Sequence, residues 1–250
     1  MATKVNKKKH QKQLIGGVIG GMGPLATVDF MSRVISLNPI QTEKDHVHLI
    51  VDQNPHVPNR QIKTSIQRNE IALLLAESAK KLETAGSNFI VMPCNTAHMF
   101  TDEIKKVIDI PLLHIVEEAV AEISKNHSNK MTVGIMATSA CLESKIYQEG
   151  LSSANRNFIV PGEHFQDECM GIIFSIKDGK EIKPMKSRMV KVAEHLIARG
   201  AEIIIAGCTE IPLIIKDNDI EVPLISSTEI LALRTIEFAS GMELERNIIE

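Results

Sequence analysis

The sequence predicts an α/β chain made of two similar halves, each a parallel sheet covered by helices, and three observations carry that prediction. Apolar, β-branched runs alternate with amphipathic stretches along all but the ends of its 250 residues, the pattern of parallel strands joined by helical crossovers. The composition is aliphatic, 44% hydrophobic with 3% aromatic and no Trp, which suits strands buried on both faces. Third, the chain repeats itself.

The strand-like runs fall at 14–19, 48–51, 89–92, 112–115, 132–136, 157–160, 203–206 and 224–226, with helical patterns between them, as at 69–82 and 186–197. LETAGSNFIVMPCNTA from Leu82 matches LIARGAEIIIAGCTEI from Leu196 at a shift of 114, bringing Gly86 onto Gly200 and Cys94 onto Cys208. PLLHIVEEA from Pro111 matches PLISSTEIL from Pro223 at a shift of 112, and GVIGGM from Gly17 matches GIMATS from Gly134 at 117. Matches in one order with small changes of offset indicate a duplicated unit with loop insertions. The expected fold is therefore two similar Rossmann-like α/β domains with parallel sheets, related by a pseudo-twofold, with the active site in the cleft between them. The first domain is expected at 14–112 plus 228–250 and the second at 113–227, after a basic leader at 1–13. No Pro-, Ser- or Gly-rich linker separates the halves, so they should be tightly docked.

A formal charge of -3 gives neither nucleic acid nor an anionic membrane reason to bind the chain as a whole. Lys4, Lys7, Lys8, Lys9 and Lys12 precede an apolar run, yet that run has the form strand, Gly-rich turn and helix start. We read the leader as a frayed terminus rather than a secretory signal. No apolar stretch reaches the roughly 20 residues that span a bilayer. Four cysteines without regular spacing argue against a disulfide framework and for a reducing, cytoplasmic setting.

Ligands of open α/β sheets bind beyond the carboxyl ends of the strands, and Cys94 and Cys208 both stand there, each followed by a Thr-containing helix start. A helix N-terminus would lower a thiol pKa and hold a substrate carboxylate. Across a pseudo-twofold the two thiols would face each other, as inversion at a tetrahedral carbon requires: one thiolate removes the proton and the opposite thiol supplies another. Cys141 and Cys169 match neither each other nor a motif and are read as structural. A zinc site from Cys94, His98 and Cys208 lacks a second close pair of ligands, so no metal is expected. In a different class, Gly21 to Ala26 fits the G-x-G-x-x-A dinucleotide fingerprint, with Asp45 or Asp52 as the ribose acid. An oxidoreductase of that kind leaves the repeated cysteine unexplained.

GGMGPLAT from Gly20, PCNTAH from Pro93 and AGCTEIP from Ala206 resemble the aspartate racemase branch of the aspartate/glutamate racemase superfamily, over nearly the whole chain from Leu14. The resemblance implies interconversion of L- and D-aspartate, or of glutamate, without pyridoxal phosphate, metal or other cofactor, by a homodimer acting on a small acidic amino acid. It makes Cys94 the base for the D-enantiomer and Cys208 the base for the L-enantiomer. It maps α-carboxylate contacts onto Asn95, Thr96, Ala97 and Thr209, and a substrate-lining position onto Met22. It makes Arg60, in NPHVPNR, and Lys177, in IIFSIKDGK, the clamp for a side-chain carboxylate, which suits a planar guanidinium and a movable ammonium. His98 and Glu210 stand beside the thiols, either tuning protons or capping and packing. A glutamate racemase would carry GCTH where this chain has GCTE, and Ser226 stands where the family commonly has Asp. Hydantoin racemase, maleate isomerase, the arylmalonate decarboxylases and a non-catalytic binding protein remain alternatives on the same scaffold.

Overall fold

The computed structural model describes residues 13–62 and 64–241. The lysines of the basic leader and residues 242–250 lie outside them. The first sheet is formed by β1 (Gly16–Gly20), β2 (Leu49–Gln53), β3 (Phe89–Val91) and β4 (Leu112–Leu113). The second is formed by β5 (Thr132–Met136), β6 (Asn157–Ile159), β7 (Ile203–Ala206) and β8 (Leu224–Ser226). All pairings are parallel, in the orders β2-β1-β3-β4 and β6-β5-β7-β8. The two orders are one order written twice, so each strand of the first half has its counterpart in the second. The expected architecture of two parallel-sheet α/β domains is what the chain forms.

The repeat extends to details that only backbone geometry explains. Gly86 and Gly200 both have positive φ, +100° and +97°, the left-handed conformation that ends a helix at low cost only in glycine. The next residue closes the same bond in each half, from Ser87 N to Leu82 O and from Ala201 N to Leu196 O, both 3.1 Å. In the strands, a Cβ on Gly17 would lie 2.8 Å from Ile90 Cδ1, and one on Gly134 would lie 2.4 Å from Ile204 Cδ1. Ile90 and Ile204 are themselves 114 residues apart, so the same close strand packing recurs.

Helices α1 (Pro24–Leu37), α2 (Ser65–Thr84), α3 (Thr101–Lys105) and α4 (Ile115–Asn126) precede β5 in the chain. After β5 follow α5 (Ser139–Glu143), α6 (Ile146–Ser153), α7 (Glu163–Lys177), α8 (Lys186–Ala198), α9 (Ile211–Ile214) and α10 (Ser227–Ser240). One apolar cluster joins both sheets: Val18 and Phe89 of the first, Val133 and Ile203 of the second, and Phe30, Ile123, Leu151 and Leu231 from helices. The last helix, α10, packs alongside both α1 and α4, and Leu14 N donates to Ala239 O at 2.9 Å. Two outer clusters complete the layers, Ile71, Leu75 and Ile104 with Ile90 on one side, and Ile172, Met189 and Leu196 with Ile204 on the other. A shared central core ties the halves together by apolar burial, the dominant favourable term in folding. Among the described residues no helix is long and apolar enough to cross a membrane.

Candidate active site

Cys94 lies just past the carboxyl end of β3 and Cys208 just past that of β7, each 4% exposed. The helix starts expected after them are short. Thr96–Phe100 is a 3-10 turn leading into the five-residue α3, and α9 has four residues. Neither carries the run of aligned peptides from which a helix dipole is summed.

Glu210 is the electrostatic hub at Cys208. Its Oε2 accepts from the Cys208 thiol at 2.9 Å and from the Thr209 hydroxyl at 3.3 Å, while Oε1 lies 3.6 Å from Lys177 Nζ. Burial, and next the Glu210 carboxylate, push the Cys208 pKa well above its ordinary value, since both disfavour a thiolate. The lowered thiol pKa expected from a helix N-terminus is thus corrected at Cys208, which is held as a protonated donor. Lys177 reaches this group from the last residue of α7. Burial works against its ammonium, but Glu210 and then Cys208 and Cys94 outweigh that and raise its pKa. One cation therefore senses both thiols.

The Gly-rich turn after β1 faces the same group. A Cβ on Gly23 would lie 3.4 Å from Glu210 Oε1 and 3.8 Å from Lys177 Cγ. Gly21 has φ +90°, and a Cβ there would lie 2.4 Å from the Asn54 carbonyl group. Its glycine is required by the chain after β2, not by a pyrophosphate. Arg60 is 7% exposed. Its Nη1 donates to Val57 O at 3.2 Å and Pro58 O at 2.9 Å, and its Nη2 to Met22 O at 3.1 Å. Its Nε is buried without a partner, so that N–H of a buried guanidinium is left for a ligand. Gln61, the next residue, crosses to the other half, where its Oε1 accepts from Ala140 N in the first turn of α5 at 3.0 Å.

Around Cys94 the partners are fixed by side chains from both halves. Asn95 Oδ1 accepts from Tyr147 OH at 2.6 Å, and Asn95 Nδ2 donates to Ser227 Oγ at 3.0 Å. Thr96 and Thr138 share a hydroxyl hydrogen bond of 2.8 Å. Ala97 is fully buried and has only its backbone to offer a ligand. His98 Nδ1 donates to Cys94 O at 2.9 Å, and its Nε2 accepts from Ile115 N at 3.2 Å. With both ring nitrogens engaged and burial holding its pKa down to about 3, His98 is a neutral brace for the Cys94 loop. It has no nitrogen left for zinc.

Comparison with known proteins decides the lineage. Residues 19–235 match the Asp/Glu/Hydantoin racemase family. The chain belongs to that family. It is 31% identical over 226 residues to the Broad specificity amino-acid racemase RacX of Bacillus subtilis, covering 88% of this chain and 96% of that one. The Picrophilus torridus aspartate racemase structure is 28% identical, with a TM-score of 0.77, covering 93% of this chain and 96% of that chain. An aspartate racemase homologue from Pyrococcus horikoshii is 27% identical, with a TM-score of 0.73, covering 90% and 98%. By family, then, this is an amino-acid racemase, an isomerase.

Within that racemase frame, Met22, Arg60, Asn95, Thr96, Ala97, Thr209 and Glu210 are all buried at 7% exposure or less, and Lys177 joins them through Glu210. Ser226, where the family commonly has Asp, caps α10 by accepting from Glu229 N at 3.2 Å. It is the next residue, Ser227, that reaches the site. Sequence reasoning missed Tyr147, Ser227, Thr138 and Gln61; Thr138 stands in GIMATS and Ser227 in PLISSTEIL, but both segments speak for the repeat and not for a site.

Proposed function

We propose that the chain is a two-base racemase interconverting L- and D-aspartate, or a close acidic relative such as glutamate, without a cofactor. The observation that carries this is the equivalence of Cys94 and Cys208: each lies just past the corresponding strand of its half, and each is buried. In the reaction a thiolate takes the α-proton, the electron pair stays on the carbon and is shared with the α-carboxylate, and the opposite thiol gives its proton to the other face. Backbone and side-chain donors at Asn95, Thr96, Ala97 and Thr209 would hold that carboxylate and spread its growing charge. Because Cys208 holds its proton, it acts first as the acid and Cys94 as the base. That protonation state receives the enantiomer whose α-hydrogen faces Cys94, the D-enantiomer in the family resemblance.

Arg60 would meet the side-chain carboxylate with its unpartnered Nε–H, and Lys177 would add charge. A second reading has its own support. Glu210 already matches the Lys177 charge, which leaves Arg60 as the main demand for an acidic side chain, and a relative at 31% identity is named for broad specificity. The two readings predict different ranges of substrate. The protein is incubated in deuterated water with single enantiomers of acidic, neutral and basic amino acids, with no cofactor added. Exchange of the α-proton confined to aspartate and glutamate supports the first reading, and exchange across the panel supports the second. Retention of every α-proton would sink both. We also propose a homodimer, which sedimentation at micromolar concentration tests.

A further inference from the structure

Tyr147 is the chain's single tyrosine and is fully buried, and the proton transfers above give it no part. Its hydroxyl donates to Asn95 Oδ1, next to Cys94. Its ring packs against Gly207, next to Cys208, where a Cβ would lie 2.9 Å from Tyr147 Cε2. One side chain therefore touches the neighbours of both thiols, from a helix that carries neither.

The hydrogen bonds run one way. Ala206 O can only accept, and the single hydroxyl proton of Ser227 goes to it at 2.8 Å. Toward Asn95, 3.0 Å away, Ser227 Oγ can then only accept. The amide nitrogen of Asn95 must lie on that side and its oxygen on the other, 2.6 Å from a phenol that must donate. Amide orientations are ordinarily chosen by the surrounding network, and here a backbone carbonyl of β7 dictates the choice in the loop after β3. Burial first of all pushes the phenol pKa well above its ordinary value, which favours the protonated donor.

We propose that Tyr147 is a positioning residue that, with Ser227, locks the Asn95 amide in a single orientation and so keeps its remaining N–H available to the substrate α-carboxylate. This rests on the racemase reading, in which Asn95 contacts that carboxylate. A flipped amide offers a carbonyl oxygen to an anion, which repels it. The lock also joins the two catalytic loops, one from each half, through Asn95, Ser227 and Ala206.

The test uses Tyr147→Phe and Ser227→Ala, which free the amide from opposite ends; should the first not fold, the second carries the test. In the 15N–1H spectrum of the protein alone, the Asn95 side-chain pair is identified by its loss in Asn95→Ala. Each variant is expected to shift and broaden that pair. Each should also lower kcat/KM for both enantiomers about 10- to 100-fold, mainly through KM, the worth of a hydrogen bond to a charged group. Tyr147→Phe placed in the Asn95→Ala background should cost nothing further. Unmoved Asn95 signals in both variants, or an equal cost of Tyr147→Phe with and without Asn95, would overturn the proposal. A parent chain that exchanges no α-proton contradicts the racemase reading instead, and the spectra still decide the lock.

Discussion

The Cys208 thiol donates to Glu210 Oε2 at 2.9 Å, and the other oxygen of that carboxylate faces Lys177 Nζ at 3.6 Å. Burial and, after it, this carboxylate disfavour a thiolate at Cys208. Replacing Glu210 by Gln removes the negative charge, so a thiolate at Cys208 is less disfavoured and its pKa falls. With Cys208 as the proposed base for the L-enantiomer, the rising limb of that enantiomer's kcat/KM profile should move to lower pH. The limb for the D-enantiomer should not follow it. Profiles recorded in both directions check this, and two unmoved limbs would show that Glu210 does not tune the thiol.

Arg60 donates to three backbone carbonyls and keeps Nε unpartnered. Arg60→Lys retains a positive charge but loses the planar fork. We expect KM for aspartate to rise about tenfold or more, as hydrogen bonds to charged groups are worth about 1.5–3 kcal/mol, with a lower Tm because carbonyls lose their donors. Any amino acid with a neutral side chain that is turned over should lose less. An equal loss for acidic and neutral substrates would make Arg60 a loop brace and nothing more.

His98 gives a pH dependence of stability. Its folded pKa is held down to about 3, by burial first and then by the facing His114, with Lys105 acting in the same direction. An unfolded imidazole titrates near about 6.5, so below that pH the unfolded chain binds a proton that the folded chain excludes. Stability is complete above about pH 6.5 and is lost as the pH falls toward 3, at up to about 1.4 kcal/mol per unit. His98→Asn, which keeps a donor for Cys94 O, should be less stable at pH 7 but lose less between pH 6.5 and 4. Urea midpoints across that range provide the comparison. His114, also lowered chiefly by burial, remains in both proteins and leaves a residual slope. Parallel slopes would rule out His98 as the source.

The paired glycines offer a test of the duplicated packing. Gly134→Ala would press a methyl into Ile204, where the Cβ position is 2.4 Å from Cδ1, and Gly17→Ala would press one into Ser87 Oγ at 2.7 Å and Ile90 Cδ1 at 2.8 Å. Overpacking of this kind costs about 1–3 kcal/mol, and the tighter contact predicts the larger loss at Gly134. Denaturant midpoints of the two variants decide the order.

The strands are legible because hydrophobic periodicity and glycine turns are local signals, and the duplication pairs Cys94 with Cys208 in the sequence itself. The Cys208 proton was not legible. A helix N-terminus was expected to favour thiolate, but α9 spans four residues, and what decides the thiol is burial together with a carboxylate two residues away. Tyr147 was hidden for another reason. The 117-residue offset that aligns the first strands also aligns it with Phe30, and both rings are fully buried, so in sequence it is one more core aromatic. Its hydroxyl acquires meaning only when Asn95 arrives from the other half. Ser227 was likewise overshadowed by Ser226, whose departure from the family pattern drew notice but whose side chain merely caps α10.

The central claim is that two thiols act from opposite faces, and early-time label partition tests it most directly. D-aspartate is converted in deuterated water and sampled before the reverse reaction contributes, and substrate and product are separated. With two bases, the L-product carries deuterium at the α-carbon while recovered D-aspartate keeps its protium. Deuterium entering recovered D-aspartate as fast as it enters L-aspartate would mean that one base serves both faces, contradicting the assignment of Cys94 and Cys208 as opposed catalysts.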